Sequence, residues 1–537
     1  MQGKKKYSEK LFNSFQLSER VPIENFYRRL KDKLDLKFLY SRTAPLYGDT
    51  GNPSIDPVVF FKLLLVGYLE NITSDRKLME HCSMRMDILF FLGYDIDEEL
   101  PWHSTVSRTR QLYDAKLSEE LFSKIFSLCV ETGMVSGHTQ AIDSAYIKAN
   151  ASMDSIEKKT PSTEVKEYLE QGEKENYVPL RRAKENKAGE EQKTISSTEN
   201  KLKELDTRNR NFLNKKIAQF GNKETNTFQS FSNQTHYSPT DPDARISTKP
   251  GKPRQLNYLC SMAVDTAQGV ISHVQADYAD KKDSRYTMDI AVKTKRELKK
   301  NNFAVENILA DTGYSSGVNY HELEQQNITP YIPTSGVYKH ERDGFAYNKE
   351  EDSFTCRHNK KLLHKKTYTN AAGSLMKSYR STRKDCKECP FRNECLGKKA
   401  QEKKFELSYY MEEYDRAYKR QQTKHFKRMV KLRHGTIEPV FGNLINYYGL
   451  RKINTKGITG AHKCMLLSAT AFNLKKLMKF ISRKRKVRAQ SVLKSKRKGG
   501  LLTGKDGLFT ILQSIAATKR TVTDFFCGPY QLSCNII

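Results

Sequence analysis

The sequence predicts a mixed α/β sheet that follows an all-α N-terminal region, and three observations support this fold class. Residues from about 10 to 132 keep apolar side chains at helical spacing. Apolar and polar residues then alternate over Thr139–Lys148, as in a strand. A strand hairpin, a helix, a strand, a helix and a short strand follow between 257 and 333, so both parallel and antiparallel pairs are expected.

One helix of the N-terminal region is predicted to contact DNA. The stretch 101–110 reads Pro-Trp-His-Ser-Thr-Val-Ser-Arg-Thr-Arg, which places a Ser/Thr cap ahead of a helix carrying Arg108 and Arg110. A helix-turn-helix element presents such residues to DNA. The alternative is an amphipathic helix with a solvated basic face. Trp102, the only Trp, is expected to anchor the core of this region.

The chain carries a large excess of positive charge. Its 537 residues include 93 Lys and Arg against 62 Asp and Glu, which gives a net charge of +31. This charge suits a polyanionic partner, and nucleic acid is the leading candidate. No run of about 18 apolar residues exists to span a bilayer, and the N-terminus lacks the apolar segment of a signal peptide. We therefore expect a cytoplasmic protein with no membrane partner.

Two insertions and a basic segment interrupt or follow the predicted sheet. The first insertion, 152–238, is polar with alternating blocks of Lys and Glu, and we expect a helical hairpin or a partly disordered arm. The second, 336–404, contains a cluster of cysteines. The segment 475–498 carries twelve Lys and Arg and no acid, so it is expected either to bind phosphates without reading sequence or to form a solvated tail.

Four cysteines of the second insertion are candidates for a structural zinc site. The spacings between them are 29, 2 and 5 residues, and the tight pair presents two thiolates on one turn. Ordinary reduced cysteines in a small core and an iron-sulfur cluster are the two alternatives. The candidate ligands are Cys356, Cys386, Cys389 and Cys395.

Three acidic residues are predicted to form a catalytic site. Asp143 lies within the first predicted strand, and Asp311 ends an apolar run that Gly and Ser follow, at the open end of a strand. Glu438 follows a Gly break and precedes Pro439, so it is expected at a helix start or a kink. Three converging carboxylates would hold two Mg²⁺ or Mn²⁺ ions, which is the arrangement used for phosphoryl transfer.

These acids lie in motifs that resemble a known family. Ala-Ile-Asp-Ser around Asp143, Ala-Asp-Thr-Gly-Tyr-Ser-Ser-Gly around Asp311 and Ile-Glu-Pro-Val-Phe-Gly around Glu438 resemble the acidic triad of the DDE transposases of bacterial insertion sequences. Thr-Asp-Pro-Asp-Ala-Arg at 240–245, the Cys-bearing insertion and the Ser-Thr-Val-Ser-Arg region resemble one branch of that group. The resemblance covers roughly residues 50–480.

The resemblance implies an RNase H-like fold and a reaction. The first Asp would lie on the first strand, the second after the fourth strand, and the Glu on a helix packed against the sheet. Mg²⁺-dependent cleavage at transposon ends would release a 3′ hydroxyl that attacks target DNA. Asp143 would bridge both metal ions, while Asp311 and Glu438 would each complete one.

The same resemblance implies partners and a domain plan. The partners would be the terminal inverted repeats and the target DNA, with a homodimer holding two ends together and the protein associated with the nucleoid. Two other functions share these features: a transposase-derived DNA-binding protein without catalysis, and an RNase H-like nuclease. The expected plan is a helical DNA-binding domain over 1–135, a catalytic domain over 136–480 interrupted by 152–238 and 336–404, and a basic tail over 481–537.

One departure from the family concerns the helix of the Glu. Related transposases often carry a Tyr-x2-Arg-x3-Glu-x6-Lys signature, but Lys431, His434 and Ile445 occupy the corresponding positions here. If the chain is helical before Glu438, Lys431 and His434 lie on its face and would contact DNA in place of the missing residues. Ile445 is more simply a core residue. Two further cations, Arg451 and Lys452, are the other candidates for DNA contact.

Overall fold

The computed structural model describes residues 16–48, 54–159, 232–247, 253–336, 342–370, 373–397 and 399–498, with side chains described up to residue 484. Most of the polar insertion and of the basic tail therefore lies outside the described residues. A first compact unit ends at Met478, and the fold and site below belong to it. Within the described part of the chain, no helix is both long and apolar enough to cross a bilayer.

The N-terminal region is helical, as predicted. Its central helix, Pro57–Leu69, begins where expected, because Asp56 Oδ1 accepts hydrogen bonds from the amides of Val58 and Val59 at 2.6 and 3.1 Å. Most of this helix is buried. The helices of the region are Leu17–Arg20, Phe26–Lys33, Phe38–Thr43, Pro57–Leu69, Asp75–Ser83, Met86–Leu92, His103–Leu112 and Ala115–Glu131, with a 3-10 turn at Ala44–Leu46.

A six-stranded mixed sheet forms the centre of the molecule. Five of its strands lie in the order β6-β5-β1-β7-β8, and the sixth, β4, pairs with the start of β5 on the same side as β6. β1, β5 and β6 are antiparallel, whereas β1, β7 and β8 are parallel. The strands up to this point are β1 (Thr139–Lys148), β2 (Glu157–Lys158), β3 (His236–Tyr237), β4 (Arg245–Ser247), β5 (Gln255–Asp265), β6 (Val270–Tyr278), β7 (Asn307–Leu309) and β8 (Thr329–Tyr331), of which β2 and β3 pair separately.

This strand order confirms the predicted fold class. If β1, β5, β6, β7 and β8 are numbered by their position in the chain, they lie in the order 3-2-1-4-5, with the first three antiparallel, as in an RNase H-like sheet. The helices Thr287–Lys300 and Gly317–Gln325 connect β6, β7 and β8. Short 3-10 turns occur at Met153–Ser155, Asp283–Arg285 and Thr312–Tyr314.

The Cys-bearing insertion folds as a second, antiparallel sheet. Phe354, Leu362, Tyr379 and Leu407 form its small core. Its strands lie in the order β13-β12-β11-β10-β9 and are β9 (Phe345–Asn348), β10 (Ser353–Cys356), β11 (Lys361–Thr369), β12 (Leu375–Arg380) and β13 (Lys404–Ser408), with short helices at Arg383–Lys387 and Arg392–Cys395. The sequence predicted an insertion here but not its sheet.

Glu438 lies inside a helix, so of the two predicted settings, a helix start or a kink, the helix start is wrong. The helix Lys424–Tyr447 continues through Gly435 and Pro439 and follows a shorter helix, Met411–Gln421. A proline inside a helix costs about 3 kcal/mol. The buried apolar residues around it each stabilise the helix by about 1.5–3 kcal/mol, so tertiary packing outweighs the local penalty. These residues are Ile437, Val440, Phe441 and Leu444.

The Thr-Asp-Pro-Asp-Ala-Arg stretch fixes the start of the last helix, Gly457–Lys498. Asp241 Oδ1 accepts hydrogen bonds from the hydroxyl of Tyr258 at 2.6 Å and from the amide of Gly457 at 3.0 Å. Asp243 Oδ2 accepts from the amide of Ile458 at 2.9 Å. Both carboxylates thus satisfy amides that the first helical turn leaves without partners. The role of this motif is therefore structural.

Candidate active site

Strand register places Asp143 beside Asp311. β1 and β7 are parallel neighbours, and Ala141 lies opposite Leu309. Asp143 lies two residues after Ala141, and Asp311 lies two residues after Leu309. The two carboxylates therefore lie side by side on neighbouring chain segments, since paired strands are about 4.8 Å apart. The Asp311 side chain accepts a hydrogen bond from the amide of Gly313 at 2.8 Å, which fixes the turn Thr312–Tyr314.

Glu438 reaches the same neighbourhood through Arg433. The guanidinium of Arg433 donates to Asp143 Oδ2 at 3.0 Å and lies 3.6 Å from Glu438 Oε1. Arg433 is 7% exposed and Asp143 19% exposed, whereas Glu438 is 54% exposed. His434, one helical turn before Glu438, also contacts Oε1 of that residue through Nδ1. One buried cation thus links the strand carboxylate to the helix carboxylate.

Opposing effects act on the pKa of the Asp143 carboxyl. Desolvation raises the pKa of the Asp143 carboxyl, and the negative charge of Asp311 raises it further. The amide of Ser144, which donates to Oδ1 at 2.8 Å, and the Arg433 guanidinium lower the same pKa. The net effect is a pKa above the ordinary value for Asp. A cation bound at Asp143 would favour the charged form.

The donor set suits a hard divalent cation. Asp143, Asp311 and Glu438 offer carboxylate oxygens, which Mg²⁺ and Mn²⁺ prefer, and the charge of Asp311 acts on Asp143. In the part of the chain that the structure describes, no three Asp, Glu, His or Cys side chains are gathered closely enough to hold an ion as they stand. Arg433 occupies the position between Asp143 and Glu438, and its positive charge offsets theirs.

Three further side chains belong to the site but were not predicted from the sequence. Arg433 was not selected, because a buried arginine and an exposed one look alike in the sequence. The hydroxyl of Tyr314, which is fully buried, lies 2.6 Å from Ser144 Oγ and so joins the turn after Asp311 to the strand of Asp143. Asp283 was also not selected; burial raises the pKa of Tyr314, and the negative charges of Asp143, Asp283 and Asp311 raise it further.

The other cations predicted to contact DNA lie on the surface. The helix is continuous before Glu438, so Lys431 and His434 do share its face, and Lys431 is exposed. Arg451 and Lys452 are exposed just after this helix, where Lys452 forms an isolated bridge with Lys148 at the end of β1. Ile445 is partly buried against the main core, as expected of a core residue.

Arg108 and Arg110 occupy different environments on the helix His103–Leu112. Arg108 is exposed and contacts only Ser104 of its own helix, at 3.4 Å. Arg110 forms a two-pronged ion pair with Asp75, at 2.6 and 2.8 Å, and is 14% exposed. The prediction that Arg110 faces DNA does not fit this geometry, because its donors are used to join two helices. Arg108 remains a candidate for DNA contact.

The expectation that Trp102 is buried was wrong. Its side chain is 69% exposed, immediately before the helix of Arg108, and its ring centroid lies 5.0 Å from that of His103. Val106 and Thr109 are the residues of that helix that face the core. The predicted Ser/Thr cap is also absent, because the residue at the N-cap position is Trp102 and makes no side-chain capping bond.

Replacing Arg110 by Ala should destabilise the protein by about 3–5 kcal/mol, because the carboxylate of Asp75 would remain buried without its partner. Replacing Arg108 by Ala, on the same helix, should change stability by less than about 0.5 kcal/mol and weaken DNA binding instead. Urea unfolding and DNA titration of both variants test this. Equal stability of the two variants would contradict the structural role of Arg110.

The four candidate zinc ligands lie near one another in the insertion. Cys356 ends β10, Cys386 lies in the helix Arg383–Lys387, and Cys389 and Cys395 follow. Burial raises the pKa of the Cys395 thiol and the other three cysteines raise it further, while Lys403 lowers it. Ser381 Oγ lies 3.0 Å from Cys386 Sγ. Among the described residues, these side chains are not gathered closely enough to hold an ion as they stand, so the zinc site stays a prediction.

Two transposase families match parts of the chain. Residues 15–112 match the family described as Transposase domain (DUF772), and residues 355–478 match Transposase DDE domain. The second match includes Glu438 and the four candidate zinc ligands but not Asp143 or Asp311. A search of curated proteins found no match.

Two solved structures similar to this chain are also transposases, at low identity. The piggyBac transposase synaptic complex with hairpin DNA is 11% identical with a TM-score of 0.28, covering 91% of this chain and 82% of that chain. The Mos1 transposase paired-end complex with the left transposon end is 9% identical with a TM-score of 0.14, covering 55% and 64%. Scores this low carry no argument about the site.

The fold is that of RNase H-like proteins, and two acidic residues lie side by side on the central strand β1 and just after its neighbour β7. Together with this fold, the two family matches support an insertion-sequence DDE transposase.

Proposed function

We propose that this transposase binds the ends of an insertion sequence and catalyses divalent-metal-dependent DNA cleavage and strand transfer at Asp143, Asp311 and Glu438. The observation that carries the proposal is the shared neighbourhood of the three acids. Strand register sets Asp143 beside Asp311, and Arg433 joins Asp143 to Glu438 at 3.0 and 3.6 Å. The net charge of +31 suits a DNA partner.

Each acid has a distinct place in the proposed reaction. Strand register sets Asp143 beside Asp311 and Arg433 links it to Glu438, so Asp143 would be the shared ligand, while Asp311 and Glu438 would each complete one ion. Bound Mg²⁺ or Mn²⁺ supplies activation of the attacking oxygen and stabilisation of the leaving oxygen. The half-exposed carboxylate of Glu438 lies on the solvent side of the site, where DNA would enter.

DNA that flanks the coding sequence tests the proposed substrate. We expect the protein to cleave a duplex carrying those flanking ends in Mg²⁺ or Mn²⁺ and to leave it intact in EDTA. Random duplex DNA and RNA of equal length are the controls. Equal cleavage of random DNA or RNA would indicate a general nuclease instead, and binding without cleavage would indicate a DNA-binding protein that has lost its chemistry.

The proposed assembly is a homodimer that holds two ends. Sedimentation of the protein with end DNA should give a complex of two chains and two duplexes, because cleavage and joining require both ends in one complex. A complex of one chain with one duplex under conditions that support cleavage would contradict this assembly.

The zinc proposal makes a separate prediction. Purified protein should contain about one zinc per chain, and Cys386→Ser should lose it and unfold the insertion more easily, since structural zinc contributes directly to folding. The matched control is Cys464→Ser, because Cys464 lies outside the cluster and contacts Thr455 Oγ1 and Asn454 Oδ1. Elemental analysis and limited proteolysis measure both effects. Metal-free protein of normal stability would reject the zinc site.

A further inference from the structure

A basic turn adjoins the Asp311 side of the proposed site. The segment between β6 and the helix Thr287–Lys300 ends in the turn Asp283–Arg285, and it carries three exposed cations: Lys281, Lys282 and Arg285. Of its two acids, Asp280 lies 3.7 Å from Arg245, and Asp283 is half-buried against the turn after Asp311. The turn therefore presents these three cations to solvent together with Asp280, which is paired with Arg245.

The basic turn is fixed to the turn that follows Asp311. The side-chain nitrogen of Asn319, which is 4% exposed, lies 3.0 Å from the carbonyl oxygens of both Ser284 and Tyr314. A Cβ built on Gly313 would lie 3.0 Å from Asp311 Oδ1 and 3.6 Å from Asp283 Oδ2. Because one buried amide joins the two turns, the basic turn has a defined position relative to the Asp311 carboxylate.

One hairpin of the insertion sheet lies next to the basic turn. Gly373, at the tip of the hairpin formed by β11 and β12, has a φ of +77°, and a Cβ built on it would lie 3.1 Å from an Nη atom of Arg285. β11 is almost entirely exposed and carries Lys365 and Lys366. The tip of this hairpin therefore lies against Arg285 of the basic turn.

We propose that Lys282 and Arg285 bind phosphates of the DNA strand next to the bond that reacts at Asp311, and that the hairpin tip at Gly373 borders this strand. The proposal deepens the function proposed above and rests on it. Arg285 suits the role because its planar fork matches phosphate oxygens. The carboxylates and their bound ions would act on the reacting phosphate itself, so cations on the adjoining turn would bind the neighbouring phosphates of the same strand. In this role Arg285 and Lys282 are positioning residues.

The test compares two double variants of one helix and the turn before it. Lys282→Gln with Arg285→Gln removes the proposed contacts. Lys299→Gln with Arg296→Gln makes the same chemical changes near the far end of the helix Thr287–Lys300, roughly 15–20 Å along its axis. Because all four residues are exposed, both variants should keep the thermal midpoint of the wild type.

We expect the first double variant to bind the flanking-end duplex at least tenfold more weakly at about 150 mM salt, with a salt-dependence slope less steep by about 1.8, since each lost phosphate contact removes about 0.9. At saturating DNA its cleavage rate should still be at least tenfold lower, because the strand is held out of register with the carboxylates. The control variant should match the wild type in both measurements.

Three outcomes distinguish a failure of this inference from a failure of the proposed function. Unchanged affinity and cleavage in the first double variant would overturn the inference while leaving the proposed function intact. Weaker binding with full cleavage at saturating DNA would place the contacts away from the reacting bond and also overturn it. If the wild type cleaves no flanking DNA, the proposed function fails; the salt-dependence slopes on a random duplex then still decide whether these two residues bind phosphate.

Discussion

Replacing Asp143 or Asp311 by Asn is expected to reduce end cleavage about 1,000-fold while DNA binding stays within about twofold of the wild type. Metal-assisted stabilisation of a phosphoryl transition state contributes several kcal/mol, and about 4 kcal/mol corresponds to this loss. Asn keeps the shape of the side chain but removes the charge that would hold the cation. The measurement is single-turnover cleavage of the flanking-end duplex in Mn²⁺, with affinity measured by anisotropy.

Glu322→Gln is the matched control for the loss of one acid. Glu322 is exposed on the helix Gly317–Gln325, which begins just after the turn of Asp311. Its neutralisation should leave cleavage within about twofold of the wild type. Full cleavage by the Asp311→Asn variant would reject the site, whereas loss of both cleavage and binding would indicate that Asp311 supports the fold.

The positions of the two aspartates could be predicted because each depends on a local pattern. The alternating stretch Thr139–Lys148 forms β1 over the predicted residues, and the apolar run before Asp311 contains β7. A carboxylate that follows a buried strand lies at the strand's open end whatever the rest of the chain does. The hairpin formed by β5 and β6 was predictable for the same reason.

Features that depend on tertiary packing could not be predicted in this way. Pro439 indicates a helix start locally, yet burial on both sides of it keeps Lys424–Tyr447 in one helix. Arg108 and Arg110 are indistinguishable by type, but only Arg110 meets an acid, Asp75, from another helix. The sequence also contains nothing that distinguishes Arg433, a buried partner of two carboxylates, from the surface cations around it.

Arg433→Met should destabilise the metal-free protein by about 3–5 kcal/mol near pH 8. The guanidinium is 7% exposed and is the charge partner of Asp143 at 3.0 Å. Its removal leaves a carboxylate that is 19% exposed beside the negative charge of Asp311. Breaking one side of such a pair costs more than the pair itself contributes. Urea unfolding in EDTA measures the loss.

The stability penalty of Arg433→Met should depend on pH because the pKa of Asp143 is raised in the folded protein. The pKa of Asp143 is already above its ordinary value, and Arg433 lowers it, so the variant should have a still higher pKa there. The native state of the variant then binds a proton more tightly than the unfolded state does, and it becomes relatively more stable as the pH falls. The stabilities of variant and wild type should therefore converge below the pKa of Asp143. A penalty that does not change with pH would instead indicate lost packing.

Divalent cations should rescue the same variant, and this links its stability to the proposed chemistry. An ion that binds only the native state stabilises it in proportion to the logarithm of its concentration above the dissociation constant. Without Arg433 the carboxylates of Asp143 and Glu438 lack their internal cation, so Mn²⁺ should raise the unfolding midpoint of Arg433→Met more than that of the wild type. Arg451→Met, which removes an exposed cation, should show no such difference. Adding Asp143→Asn to Arg433→Met should restore stability and abolish the response to Mn²⁺, because the buried charge that needs a partner is then gone.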